Sequence, residues 1–171
     1  MTLTVIIANI LSGLGTVLML VSTFLKTKKS MLKISVIDYI LNTIANILIK
    51  GYSAAVVNII GGIRDYFVYK NKMNNKLLIL FVASASVIAF AVNQQGWIGF
   101  IPIVSEIEYG IGTAKAKDGV GYKIILAINY LMWIVYCMCT KLYVPAILYA
   151  GIVISSIINI IRNKKILSNN L

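Results

Sequence analysis

Ionisable side chains interrupt the apolar segments of this chain at few positions, and these are the first candidates for chemistry. Arg64 and Asp65 stand side by side in the stretch NIIGGIRDYF (58–67), directly after an apolar run. A charge inside a bilayer is costly, so it marks either a function or a side chain that reaches the membrane surface. Neighbouring acids fall at a similar depth, since a helix rises about 1.5 Å per residue. We predict a structural or gating ion-pair layer formed by Asp38, Arg64, Glu106 and Glu108. Two other interpretations of Arg64 stay open, namely snorkelling to the headgroups and direct contact with a substrate.

A second group of polar side chains could line a central cavity. Asp38, Asn42 and Asn46 recur at four-residue spacing and so share one face of a helix. Asparagine offers both a donor and an acceptor, and tryptophan offers a face for stacking or for a cation. These properties suit a small, partly planar solute that is neutral or cationic. Its predicted binding residues are Asn42, Asn58, Asn129 and Trp133. The alternative is that the asparagines only form hydrogen bonds between helices, because such bonds stabilise helix packing in membrane proteins.

The composition indicates the class of protein. The chain is 60% hydrophobic and 12% charged, and its mean hydropathy is +0.90, whereas a soluble domain carries about a quarter charged residues. The sequence is therefore typical of an integral membrane protein. It has no histidine, and its two cysteines, Cys137 and Cys139, lie two residues apart in an apolar run. We expect no metal site, no cofactor and no enzymatic activity, because no catalytic or metal-binding motif occurs in the sequence.

Polar breaks divide the chain into seven apolar segments, each close to the length that crosses a bilayer. The segments are 4–25, 31–49, 52–69, 77–93, 97–114, 121–139 and 142–162. With seven spans, 13 of the 16 lysines and arginines fall on one side, and only Lys50 and Lys141 fall on the other. Since cytoplasmic loops are rich in Lys and Arg, the N-terminus is predicted outside and the C-terminus in the cytoplasm. The basic residues lie in short loops without interleaved aromatic residues, so a net charge of +11 does not predict nucleic acid as a partner.

An internal repeat relates the two halves of the chain. A shift of 91 residues aligns IDYILNTIANILIKGYSAA (37–55) with INYLMWIVYCMCTKLYVPA (128–146). The matches include Tyr39 with Tyr130 and Lys50 with Lys141. The same shift places helices 1–3 on helices 5–7, which predicts a 3+1+3 parallel repeat about an axis along the membrane normal. The predicted domains are a first three-helix bundle (1–72), a linker helix (73–94) and a second three-helix bundle (95–171). Chance similarity between apolar segments is the alternative.

The run KGYSAAVVNIIGGIRDYFVYKNK (50–72) resembles the signature of the YgjV-type bacterial inner-membrane proteins. In that signature a Gly-Tyr/Ala-Ser turn leads into a helix with Asn-x-x-Gly-x-x-Arg, here Asn58, Gly61 and Arg64. The break QGWIGFIPI (95–103) and the end YVPAILYAGIVISSIINIIR (143–162) fit the same family. Asp65 departs from the family pattern, which has asparagine after the arginine. The resemblance implies a multi-pass protein of the bacterial inner (plasma) membrane.

More remotely, the 3+1+3 plan is similar to SWEET and SemiSWEET sugar facilitators and to the nicotinamide riboside transporters. This likeness implies a central site between two three-helix bundles, with Asn58 similar to their substrate-binding asparagine. The stretch WIVY (133–136) is similar to the paired-Trp motif of the riboside transporters. Tyr136 replaces the second Trp, which argues against nicotinamide riboside itself. Pro102 lies where SWEET-like helices place a hinge proline, and its missing N–H would loosen helix 5.

These features predict a small-molecule membrane transporter or facilitator that works by alternating access and moves its solute downhill. The partners expected are membrane lipids and the solute, and a homo-oligomer is left open. The alternative is a non-transporting membrane protein, such as a partner or binding subunit of another membrane complex. A continuous polar path would distinguish the two, because a partner protein can be dry throughout.

Overall fold

Seven α-helices joined by short connections make up the molecule. The computed structural model describes residues 2–168, and the side chains of residues 2–162. The helices are α1 (Leu3–Ser22), α2 (Lys28–Leu48), α3 (Tyr52–Tyr69), α4 (Asn75–Ala91), α5 (Phe100–Lys115), α6 (Gly119–Thr140) and α7 (Tyr143–Ser168). The prediction of an all-α fold with seven helices is confirmed for this range, in which no strand occurs. α7 continues beyond its predicted end at residue 162, and the side chains of Lys164 and Lys165 lie outside the described residues.

Three helices begin with the capping residues that their sequences favour. The side chains of Thr27, Asn74 and Asp118 accept hydrogen bonds from the backbone N–H groups three residues later, at 3.2, 2.9 and 2.7 Å. Such a bond satisfies one of the N–H groups that the first turn of a helix leaves free. These caps fix the starts of α2, α4 and α6 directly after lysine-containing loops.

Two turns that lie 91 residues apart have the same geometry. Lys50 and Lys141 both adopt left-handed backbone conformations, with φ of 60° and 64°. In both turns the next N–H group donates to a carbonyl five residues back, from Gly51 to Asn46 and from Leu142 to Cys137. This pattern of hydrogen bonds ends a helix sharply. α2 and α6 therefore end in the same way.

The predicted fifth segment, 97–114, is not one continuous α-helix. A 3₁₀-helix (Gly96–Gly99) precedes α5. Gly96 has a φ of 57°, and the Asn93 side chain accepts from Gln95 N–H at 2.9 Å and donates to the Gly96 carbonyl at 2.8 Å. These local hydrogen bonds compete with a regular helical turn.

Six of the helices form a closed ring. Each helix of the series α1, α2, α3, α5, α6 and α7 packs against the next, and α7 packs against α1. α4 packs against α3 and α5, and its buried residues are only Ala85 and Ala89. We call the six helices the ring, and α4 lies at its periphery.

The distribution of polarity is the reverse of that in a soluble protein. Large aliphatic side chains such as Ile10, Leu14 and Ile154 are exposed, whereas Arg64 and Asp65 are fully buried. α1, α2, α6 and the segment Tyr143–Arg162 of α7 are long and apolar enough to cross a membrane. α4 and α5 are shorter, with 17 and 16 residues, and the charged pair lowers the mean hydropathy of α3. In a bilayer, polar side chains must be enclosed by helices whose lipid-facing surfaces are apolar.

Candidate functional site

A small polar cavity lies in the middle of the ring. Its volume is about 30 Å³, which is room for roughly one or two water molecules. All six helices of the ring line it, and α4 does not. The lining residues are Met19, Ser35, Asp38, Tyr39, Asn42, Asn58, Tyr109, Asn129, Tyr130, Trp133 and Tyr149. The structure thus brings together the four residues that the sequence predicted to bind a solute, Asn42, Asn58, Asn129 and Trp133.

Most of the cavity wall consists of residue pairs separated by 91 positions. Eight of the eleven lining residues form such pairs: Asp38 with Asn129, Tyr39 with Tyr130, Asn42 with Trp133, and Asn58 with Tyr149. Tyr39 and Tyr149 were not among the predicted binding residues. The shift of 91 contains the signal that would have found Tyr149, because it is the counterpart of Asn58.

Hydrogen bonds fix the side chains of Asp38, Asn42 and Asn129 in the wall. The Ser12 hydroxyl donates to Asn42 Oδ1, and Asn42 Nδ2 donates to Asp38 Oδ1 at 2.7 Å. Asn129 Nδ2 donates to the carbonyl and the hydroxyl of Ser105, at 3.0 and 2.7 Å. Asn58 Nδ2, in contrast, is buried and has no partner among the described residues. A buried donor without a partner is costly, so the Asn58 amide has unused binding capacity.

A charged cluster centred on Arg64 adjoins the cavity. The guanidinium contacts Asp65 Oδ1 through Nη2 at 2.9 Å and through Nε at 3.1 Å, and its Nη1 pairs with Glu106. Arg64 Nη2 also donates to the Tyr39 hydroxyl at 3.2 Å, and the guanidinium lies 5.0 Å from the centre of the Tyr109 ring. Arg64 is therefore held by two carboxylates and two tyrosines.

The second carboxylate oxygen of Asp65 connects this cluster to the cavity wall. It accepts from the Ser35 hydroxyl at 3.1 Å and from the Tyr109 hydroxyl at 3.2 Å. Ser35, Tyr39 and Tyr109 belong to both the cluster and the wall. The cluster follows Asn58 along α3 toward the lysine-rich loops, so it separates the cavity from that end of the molecule.

The predicted ion-pair layer is only partly assembled. Arg64 and Glu106 meet, and Asp65, whose role the sequence left in doubt, is their third member. Asp38 and Glu108 do not pair with Arg64: Asp38 accepts from Asn42, and Glu108 lies 3.5 Å from the Asn129 amide. The Arg64 side chain is fully buried and ion-paired, which is not the geometry of a snorkelling residue.

The physical reason given for a hinge at Pro102 does not hold. Pro102 lies in the first turn of α5, where a missing N–H removes none of the hydrogen bonds inside that helix. The preceding 3₁₀-helix with its two glycines is the irregular part of this segment.

Two polar contacts close the cavity toward the end opposite the lysine-rich loops. The Tyr136 hydroxyl lies 3.1 Å from Asn46 Oδ1 and 3.1 Å from Gln95 Oε1. Asn9 donates to the Lys141 carbonyl at 3.1 Å and accepts from Val144 N–H at 3.0 Å. The first contact joins α2 to α6, and the second joins α1 to the start of α7.

The fold and the site together define an α-helical membrane protein that encloses polar residues within a ring of helices. Residues 6–166 match the Imp-YgjV family, described as a bacterial inner membrane protein. The chain therefore belongs to the Imp-YgjV family, which confirms both the sequence resemblance and the inner-membrane location. Comparisons with curated proteins and with solved structures found no match. The likeness to SWEET facilitators and nicotinamide riboside transporters accordingly rests on the sequence motifs alone.

Proposed function

We propose that the protein is a small-molecule membrane transporter or facilitator, with its solute site in the central cavity and alternating access between two three-helix bundles. The observation that carries this proposal is the paired composition of the cavity wall, in which eight of eleven residues are related by a shift of 91 positions. Transporters built from repeats bind their solutes at the interface between the repeats. Asparagines that only formed hydrogen bonds between helices would not need to line one cavity, or to lie at positions related by the repeat.

The order of packing around the ring supports the parallel repeat. α2 packs against α1 and α3, and α6 packs against α5 and α7. The halves meet along two seams, α3 against α5 and α7 against α1. A parallel repeat places α3 at the position of α7 and α5 at the position of α1. It therefore relates the α3–α5 seam to the α7–α1 seam. The matching turns at Lys50 and Lys141 give the same support at the level of the backbone.

The position of the basic residues supports seven spans with a cytoplasmic C-terminus. The loops after α1, α3 and α5 meet around one pocket of about 680 Å³, which includes Lys26, Lys28, Lys29 and Lys117. Lys26 and Arg162 share a second pocket beside it. We call this the basic end, and a cytoplasmic basic end follows from the excess of Lys and Arg in cytoplasmic loops.

The gate on the basic side consists of the charged cluster. The pocket formed by the loops after α1, α3 and α5 reaches inward to Leu32 and Val68, about one helical turn short of Ser35 and Arg64. The Arg64–Glu106 pair and the Tyr109–Asp65 hydrogen bond both join α3 to α5. They therefore cross one of the two seams, and they must separate if the cavity is to open toward the basic end.

The gate on the opposite side is smaller and has no charged pair among the described residues. Tyr136 joins α6 to α2 through Asn46, and Asn9 joins α1 to the α6–α7 turn. Rocking of the two bundles would break one set of contacts while the other set holds, so the solute would reach one side at a time. The small cavity corresponds to a state in which both sets are closed.

Uptake into proteoliposomes tests this proposal. The panel contains vitamins, nucleosides, sugars and amines, and the variants are Trp133→Ala and Asn58→Ala. We expect each variant to slow uptake of a transported solute by about tenfold, the effect of losing one aromatic or polar contact in a desolvated site. Val135→Ala, on the exposed face of α6, is the control and should leave uptake unchanged. The site assignment is wrong if both cavity variants fold and transport at the wild-type rate.

The small size of the cavity favours a second candidate function, that of a non-transporting partner or binding subunit of another membrane complex. A partner subunit needs no opening to either side. If no solute in the panel moves across the membrane with the wild-type protein, this second function replaces the first.

A further inference from the structure

Asp38 is a carboxylate in the cavity wall for which the described residues supply no cation. Its side chain accepts a hydrogen bond from the neutral amide of Asn42, at 2.7 Å. Arg64 is already shared between Asp65 and Glu106. Asp38 is 7% exposed, and a buried carboxylate without a positive partner is strongly unfavourable. A bound positive group in the cavity would remove this imbalance.

The carboxylate is held in a fixed orientation. The Ser12 hydroxyl donates to Asn42 Oδ1, which turns the Asn42 amide nitrogen toward Asp38. Gly15 packs so closely that a Cβ there would lie 2.7 Å from Asp38 Oδ1. Both contacts involve Oδ1, while Oδ2 accepts no hydrogen bond from the described side chains. One oxygen is thus used for positioning, and the other is free for a ligand.

The surroundings of Asp38 suit an ammonium group. Five of the eleven lining residues are aromatic, and the Tyr130 and Tyr149 rings are stacked with their centres 4.6 Å apart. Aromatic faces attract organic cations, whereas hard metal ions need several oxygen ligands. Asn58 carries its unpartnered amide in the same wall. An amine that also bears an oxygen acceptor would satisfy both Asp38 and Asn58.

We propose that Asp38 is the counter-ion of a solute ammonium group, so that the solutes of this protein are small amines in their protonated form. The inference rests on the proposed function and narrows its solute class from neutral or cationic to cationic. In the closed state the cavity of about 30 Å³ holds the ammonium group and little more. Larger parts of a solute need the opening of one gate.

Binding in detergent tests the inference separately from transport. The reporter is the fluorescence of Trp133 in a Trp97→Phe background, since the chain has two tryptophans. The probes are ethanolammonium, methylammonium, 1-propanol and propionate; 1-propanol matches ethanolammonium in size but lacks its charge. We expect the two cations to bind at least about tenfold more tightly than 1-propanol or propionate. Neither of these two molecules can form a charge-assisted hydrogen bond between an ammonium group and Asp38.

A matched pair of substitutions tests the residue itself. Asp38→Asn should weaken binding of ethanolammonium by about tenfold or more. Asp118→Asn makes the same chemical change at the exposed cap of α6, where asparagine caps as well as aspartate, and should leave binding unchanged. Equal binding of ethanolammonium and 1-propanol by the unsubstituted protein overturns the inference without any variant, as does an absence of binding of all four probes.

The outcomes separate this inference from the proposed function. Asp38-dependent binding of ethanolammonium without uptake into proteoliposomes supports the amine site and contradicts transport. Uptake of a neutral solute that depends on Trp133 but not on Asp38 supports transport and overturns the amine site.

Discussion

Arg64 and Asp65 pair with each other although they are neighbours along one helix. Consecutive residues of a helix point in directions about 100° apart, so they do not normally meet. The arginine side chain is long enough for Nε and Nη2 to reach Asp65 Oδ1 while Nη1 reaches Glu106 on α5. One guanidinium thereby pairs with two carboxylates on different helices, which is the use of arginine that its forked geometry favours.

The loss of stability caused by Arg64→Ala should be partly rescued by Glu106→Gln. Arg64→Ala leaves Asp65 and Glu106 buried without a cation, and we expect a loss of about 3–5 kcal/mol in the free energy of unfolding. Adding Glu106→Gln should recover part of that loss, with a coupling energy of about 1–3 kcal/mol. The measurement is unfolding in mixed detergent micelles for the full double-mutant cycle.

Asp38→Asn provides the control for this cycle. The sequence predicted that Asp38 belongs to the same layer, in which case Asp38→Asn would also rescue Arg64→Ala. In the structure Asp38 does not contact Arg64, so its effect should add to that of Arg64→Ala within about 0.5 kcal/mol. Equal coupling of Asp38 and Glu106 to Arg64 would contradict the geometry of the cluster.

Part of the site could be predicted from residue types and part could not. The asparagines at 42, 58 and 129 were identified because polar residues in apolar helices are rare and must face a partner or a cavity. The depth of Arg64 and of the acids also follows from helical rise. Which acids pair with Arg64 depends on the rotation of each helix about its axis, and tertiary packing determines that rotation. Tyr39 and Tyr149 were overlooked because a tyrosine alone is equally common in apolar cores and at membrane surfaces.

At the scale of helices, the packing of α5 depends on the glycine at position 110. A Cβ on Gly110 would lie 2.9 Å from Arg64 Nη1 and 2.8 Å from Val82 Cγ2. α5 can therefore approach both α3 and α4 only because this side chain is absent. The close approach is what brings Glu106, one turn earlier on α5, within reach of Arg64.

Two alanine substitutions in helices should have opposite effects. Gly110→Ala should destabilise the protein by about 1–3 kcal/mol, because it overpacks the contact between α5 and the charged cluster. Gly151→Ala is the matched control: its Cβ would lie at ordinary distances, 3.6 and 3.7 Å from Leu20, and alanine is a better helix former by up to about 1 kcal/mol. Thermal unfolding of both variants in detergent is the measurement. Similar unfolding temperatures for the two variants would show that α5 is not packed as described.

The limits of the helices were easier to predict than their details. Lysine-rich breaks and capping residues such as Thr27, Asn74 and Asp118 fix the ends of α1 to α4 and of α6 near the predicted positions. The 3₁₀-helix before α5 was not predicted, because it depends on the side chain of Asn93 and on the left-handed conformation of Gly96. The regular spacing of apolar residues contains no signal for either.

At the scale of the whole molecule, the loops of the basic end should face the cytoplasm. Ser30→Cys and Asn74→Cys are exposed at that end, and Gln94→Cys is exposed at the other. In a background without Cys137 and Cys139, an impermeant thiol reagent should label the first two only in inside-out vesicles and the third only in intact spheroplasts. Labelling of Ser30→Cys from the outside would reverse the orientation, and labelling of all three from one side would contradict an odd number of spans.

The helices α1–α3 and α5–α7 meet along two seams, α3 against α5 and α7 against α1, and the cavity lies between the two groups. Every lining residue belongs to one of these two groups of helices, and the contacts proposed as gates cross between the groups. A rigid, dry bundle would need neither the unpartnered amide of Asn58 nor the unpaired carboxylate of Asp38 at its centre. We therefore expect this centre to become accessible from each side of the membrane.

The accessibility of a cysteine at position 58 tests this expectation. Asn58→Cys, in the background without native cysteines, is exposed to a small impermeant cationic thiol reagent from the outside in spheroplasts and from the inside in inverted vesicles. Ala54→Cys, one turn away on α3 and fully buried outside the cavity wall, is the control. We predict modification of Asn58→Cys from both sides and of Ala54→Cys from neither. Protection of Asn58→Cys from both sides, like that of Ala54→Cys, would contradict alternating access and leave the protein a closed membrane subunit.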